Sequence, residues 1–201
     1  MATEYTDVDR LILGRWQDVM GLFEAHEELQ DRVEEVIEDV RSRLGRWLEG
    51  RGYEVTSDPK SPSFFLGKAD WYHKRKDDWS VYFEVGGFAP FGFRKVREDH
   101  PYAWFHTANL EFLHMKEAER VDFARALRQE LGDVAKAWAD NEVDDTESPL
   151  GRYFRDVKDA DRVELIADPD KLFEFATKAC EELFTLADPI DRVLAKFRPK
   201  E

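Results

Sequence analysis

Apolar residues recur at helical spacing toward both ends of the chain and alternate with polar ones in its middle. Val8, Leu11, Ile12, Trp16, Val19 and Phe23 follow one another at intervals of one, three or four. They predict a first helix over residues 7–23, with Thr6 as its N-cap. Leu29, Val33, Val36, Ile37, Val40, Leu44, Trp47 and Leu48 keep the same period and predict a long second helix over 24–49. Its acids come early (Glu27, Glu28, Asp31, Glu34, Glu35) and its arginines late (Arg41, Arg43, Arg46), the order that the helix dipole favours. Gly50 and Gly52 supply a stop.

From residue 53 the period shortens toward two. Strands are expected over 53–56, 64–73, 79–88 and 91–97, with a further one over 102–107. The connections KRKDD and APFG are turn sequences too short for a crossover, so neighbouring strands must run antiparallel. Val121, Ala124, Leu127 and Leu131 mark a helix from about Lys116 to Gly132, continuing after a break over 133–139. The stretch NEVDDTESPLG reads as a loop and residues 162–166 as a short strand. Asp168 with Pro169 opens a helix to residue 186, and Asp188-Pro189 opens a last one through Phe197. The expected class is α+β: an antiparallel sheet of about four to five strands flanked by long helices. It forms one domain over residues 1–201, with 1–23 as a helical appendage.

Composition narrows the chemistry. A single cysteine among 201 residues excludes a disulfide framework and any zinc site built on cysteines. Cys180 has Ala176 and Leu183 on its own helix face, which predicts a buried thiol rather than a nucleophile. No apolar run approaches the length of a membrane span, and the N-terminus shows no secretory pattern, so the chain reads as cytoplasmic. The net charge of −14 is uneven. Between residues 63 and 106, seven Lys/Arg meet six acids, and 13 of the 27 aromatic residues fall there. The helix over 24–49 alone carries nine acids and four bases. Such a field disfavours nucleic acid as a partner.

No phosphate-binding glycine motif and no G-x-S-x-G is present, and Gly86, Gly87 and Gly92 flank a hairpin rather than a helix N-terminus. His26, His73, His100, His106 and His114 include no pair at i, i+4 spacing, so no metal site and no cofactor is expected. The tract His73-Lys74-Arg75-Lys76 lies among Trp71, Tyr72 and Trp79, but Asp77 and Asp78 follow at once, which makes a solvated hairpin tip the expected role. One catalytic constellation merits weighing. Asp70 and Glu84 on neighbouring strands, with Lys68 beside them, have the residue types of a divalent-metal phosphodiesterase. Regular pleating places Tyr82 and Glu84 on one face, and Lys68, Asp70 and Tyr72 on another that could meet it.

The run WLEGRGYEV, followed by KADWYHKRKDDWSVYFEVGGFAPFGF between long helices, resembles the downstream half of an uncharacterised group in the PD-(D/E)XK nuclease superfamily. The resemblance is one of pattern, over about residues 29–186. It implies an accessory module in a restriction or defence-like setting rather than catalysis. The superfamily's catalytic motif is absent, because Glu84 is followed by Val85 and Gly86 where a lysine belongs two residues on. Asp58-Pro59-Lys60 and Asp156-Val157-Lys158 have carboxylate-x-lysine spacing but fall in expected loops.

The expected function is therefore a non-enzymatic interaction or regulatory module with a protein partner. Two surfaces are candidates: the acidic helix through Glu27, Glu28, Glu34 and Glu35, and the aromatic edge of Trp71, Trp79 and Tyr82. The alternatives are the metal-dependent hydrolase built on Asp70, Glu84 and Lys68, and an acidic inhibitor imitating nucleic-acid charge.

Overall fold

Thr6 caps the first helix as its sequence predicts: its hydroxyl accepts from the Asp9 amide, and the Asp9 carboxylate accepts from the Thr6 amide. Helix α1 (Asp7–Gly14) is shorter than expected. The chain breaks at Arg15 (φ −124°), after Gly14, and α2 (Trp16–Leu48) then runs for 33 residues. Nothing between Phe23 and Ala25 interrupts hydrogen bonding, so the boundary expected there does not exist. The structure, a computed structural model, describes residues 6–58, 61–88, 100–141, 146–157 and 159–197.

The architecture is α+β. Strands β1 (Tyr53–Asp58), β2 (Ser61–Lys68), β5 (Tyr82–Gly86), β6 (Tyr102–His106) and β7 (Leu150–Tyr153) form an antiparallel sheet in the order β1-β2-β5-β6-β7. A second, two-stranded sheet joins β3 (Tyr72–His73) to β4 (Asp78–Trp79). Helices α3 (Glu117–Leu131), α4 (Asp159–Ala167), α5 (Pro169–Phe184) and α6 (Ala187–Phe197) complete the elements used below.

Four expectations are corrected. The strand over 64–73 ends at Lys68, where Ala69–Trp71 turns as a 3-10 segment and carries the Trp71 indole into the core against Phe83 and Phe105. The strand over 79–88 is two pieces, parted where the Ser80 amide bonds Trp71 O at 2.8 Å. Residues 162–166 are helical, within α4, and bury Ile166 while Val163 stays exposed. Part of the expected loop is β7, four residues too short to show a period and held by pairing with β6. The expected strand over 91–97, with Arg94, Lys95 and Arg97, lies outside the described residues, as do Pro59, Lys60 and Lys158.

The core lies on one face of the sheet. Phe64, Leu66, Phe83, Val85, Ala103, Phe105 and Leu150 point there and are fully buried. Val33, Ile37, Val40, Leu44 and Leu48 of α2 and Leu172, Ala176, Ala179, Cys180 and Leu183 of α5 belong to the same cluster. Arg43 ties the two helices, with its guanidinium 4.4 Å from the Phe173 ring centre and 2.8 Å from Asp170. Cys180 is buried as expected, and burial raises its thiol pKa above the ordinary value.

Candidate functional site

The other face of the sheet carries the polar chemistry. Period-two pleating puts Tyr82 and Glu84 of β5, and Tyr102, Trp104 and His106 of β6, on that face. Glu84 pairs directly with Trp104 and reaches diagonally along β6 in both directions. Its Oε2 stands 2.6 Å from His106 Nε2, and its Oε1 accepts from Tyr102 OH at 2.8 Å. His106 Nδ1 in turn lies 2.9 Å from the Ser148 hydroxyl. Gly86 makes room for this: a Cβ there would collide with the Tyr102 ring and the Ser63 hydroxyl. Tyr82 stacks on the His106 ring at 4.8 Å, and Tyr102 stacks on Trp104 at 4.2 Å.

Glu84 is only 6% exposed. That burial opposes its charge, but the hydrogen bonds from His106 and Tyr102 outweigh it and hold the carboxyl below its ordinary pKa. Tyr82 is pushed up to about 12, by burial first and the Glu84 charge second. The order carboxylate, imidazole, hydroxyl is that of an activated nucleophile. Ser148, however, is 7% exposed, so its hydroxyl is closed to a substrate in this conformation. Sequence reading found Glu84 but not its partners, because His106 and Ser148 lie 22 and 64 positions further on and carry no local motif.

The metal-hydrolase set does not assemble. Phe65, not Asp70, stands opposite Glu84 across β2 and β5. Asp70 lies exposed in the 3-10 turn beyond the end of β2. Lys68 is engaged elsewhere: it pairs with Asp191 of α6, whose other oxygen accepts from Trp71 Nε1 at 2.6 Å. Among the described residues no group of three or more histidines, cysteines or carboxylates can hold a metal ion. His100, His106 and His114 do not converge: His106 bonds Glu84 and Ser148, while His100 Nδ1 faces Val157 O at 3.4 Å.

The binding residues divide. Trp71 and Trp79 are both buried, at 1% and 6% exposed, so of the aromatic edge only Tyr82 stays half-exposed. Trp79 lies over Gly67, where a Cβ would fall inside the indole. With Tyr82, Thr56 and Phe65 it lines a concavity of about 200 Å³. Glu27, Glu28, Glu34 and Glu35 are all exposed on α2, with Glu28 3.2 Å from Arg32.

The N-terminal arm departs most from ordinary surface chemistry. Leu11 (62% exposed), Trp16 (52%), Leu22 (72%) and Phe23 (58%) stand open, as do Val8, Ile12, Leu13, Met20 and Leu29. From Trp16 the helix keeps the same phase: Trp16, Val19 and Phe23 precede Val33, Ile37, Val40 and Leu44 at heptad spacing, with His26 and Gln30 at the two seam positions between. Only the later half meets the sheet. No side chain described over residues 6–32 is buried. No helix among the described residues is long and apolar enough to cross a membrane.

Comparison of the chain with protein-family models, with curated proteins and with solved structures returns no match.

Proposed function

We propose that the protein is a non-enzymatic interaction module whose N-terminal arm docks a protein partner. The observation that carries this reading is the apolar side of α2, which continues past the body of the protein and which none of the described residues buries. Exposed apolar patches of this kind mark interaction surfaces. The flank of the stripe defines the partner. Residues 6–32 hold seven acidic and three basic side chains, so a second copy would bring like charge to the same surface. A helix with an apolar face and lysines or arginines beside it matches both properties, and the acids would steer its approach. A setting beside a nuclease in a defence system, which the sequence resemblance implied, fits such a role.

Affinity capture from the native cell, with the wild type and a Leu11→Gln/Trp16→Gln/Phe23→Gln variant in parallel, tests the reading. One basic, helical partner should be retained by the wild type and lost by the variant, while thermal melting of the two is alike. Neutralising Glu27, Glu28, Glu34 and Glu35 together should slow association and flatten its salt dependence. Capture indifferent to the stripe, or a capture of nucleic acid alone, overturns the reading. A dimer in light scattering that the triple substitution dissociates assigns the surface to a second copy instead.

A further inference from the structure

The β3–β4 hairpin and the 3-10 segment Ala108–Leu113 line a concavity of about 620 Å³ to which neither the arm nor Glu84 contributes a residue. Its wall is basic. Lys74, Arg75 and Lys76 line it from the hairpin, and His114 lines it from the opposite side. Its apolar element is Phe112, with the His73 ring 5.8 Å away and Lys76 Nζ 5.5 Å above the ring. Backbone geometry sets this arrangement. The amides of Lys76 and Asp77 both bond His73 O, and Asp77 takes the left-handed conformation (φ 56°), which closes the hairpin and presents residues 74–76 together. His114 is likewise left-handed (φ 62°), with its amide on Glu111 O at 2.8 Å.

Sequence alone makes Asp77 and Asp78 cancel these cations. In the structure both carboxylates keep their charge but bond neutral donors rather than the three cations. Asp77 accepts from Tyr72 OH, and Asp78 accepts from the Trp79 amide at 2.7 Å and from Asn109 Nδ2 at 3.1 Å. Glu111 is the one carboxylate lining the concavity among the described residues. Lys74 and Arg75 have no ion-pair partner there, and His73 Nδ1 is buried with no hydrogen-bond partner. Cations beside a half-buried aromatic ring are the chemistry that takes a phosphate and a planar base together, the base displacing Lys76 from the ring. The volume suits one small ligand.

We infer that this concavity binds a nucleoside phosphate, with the phosphates on Lys74, Arg75 and Lys76 and the base against Phe112. Calorimetric titration of the full chain with ADP, adenosine and inorganic phosphate at low salt tests it, with Lys74→Ala/Arg75→Ala and Phe112→Leu alongside. ADP should bind once per chain, at least about tenfold more tightly than phosphate, and adenosine more weakly than ADP. The double variant should weaken ADP about tenfold or more by removing charge, and Phe112→Leu by about five- to tenfold by removing the stacking ring. Circular dichroism confirms that both variants are folded. The inference fails if ADP shows no saturable binding at roughly millimolar concentration, or if phosphate matches ADP. It fails equally if a single-stranded oligonucleotide outcompetes ADP with a steep salt dependence, which would make the hairpin part of a polyanion track.

Discussion

His106 Nε2 lies 2.6 Å from Glu84 Oε2, although the residue directly opposite Glu84 is Trp104. The diagonal pair joins the central strand β5 to β6 on the face away from the core, and Tyr102 completes it from the other side. Because the folded protein holds the Glu84 carboxyl below its ordinary value of 4.5, its ionised form favours the fold. That contribution is complete above the ordinary value and is lost as pH falls through the lower folded one. The urea midpoint of the wild type should therefore fall on acidification below about pH 4.5, and Glu84→Gln should lose this part of the dependence. Identical slopes for the two proteins would show that Glu84 is not held as described. At neutral pH, Glu84→Ala removes the acceptor of the Tyr102 hydroxyl and the partner of His106 Nε2, while Ser63 still reaches Tyr102 and Ser148 still reaches His106, so the loss should be about 1–3 kcal/mol in all.

Asp191 receives both Lys68 Nζ and Trp71 Nε1, and so anchors α6 to the turn after β2. Removing it leaves the Trp71 N–H buried without an acceptor. Asp191→Ala should cost about 1–3 kcal/mol in chemical denaturation, with a change in tryptophan emission. Lys68→Met should cost less, since it keeps the stem and leaves the Trp71 bond intact. A larger loss from Lys68→Met than from Asp191→Ala contradicts the assignment.

Cys180 should be inert. Its thiol is buried within the α5 contact and its ionisation is opposed by that burial. An aromatic disulfide reagent should label it only as fast as the protein opens, with labelling accelerating through the denaturant transition. Immediate stoichiometric labelling of the native protein would place the thiol at the surface.

The two halves of α2 should differ in what they contribute to stability. Leu44 is fully buried, so Leu44→Ala should cost about 2–5 kcal/mol. Trp16→Ala and Phe23→Ala, on the same stripe, should change stability by no more than about 0.5 kcal/mol in the free protein. Comparable losses at the two ends would mean that the arm is covered by the protein's own chain.

Helices with caps and long periodic stripes were legible from sequence: Thr6, the stripe Val33 to Leu48, and Asp168 with Pro169 all appear as read. The side of β5 on which Glu84 stands was legible too, because pleating is a local property. What escaped depends on distant contacts. Trp71 leaves its strand to reach Phe83, Phe105 and Asp191; the RVELI segment becomes helical beside α5; β7 exists through its pairing with β6. The carboxylates part for a related reason. Phe65 stands opposite Glu84, so Lys68 and Asp70 keep the parity of Phe64 and Leu66 on the other face of the sheet, and the 3-10 turn then ends the strand at Lys68.

The unbroken course of α2 changes what a docking partner must supply. An isolated helix of the arm's length is marginal in water, because its first turn fixes several dihedral angles for a single hydrogen bond. Here the nucleus is already in place, fastened to the sheet by Val33 to Leu48, and the arm grows from it by propagation alone. A binder therefore meets a surface whose ordering cost has been met largely by the folding of the body, so more of its contact energy remains as affinity. The coupling also runs inward: loosening the grip of Val40 or Leu44 on the sheet would fray the arm some 25 Å away, at 1.5 Å per residue, and weaken recognition without touching a contact residue.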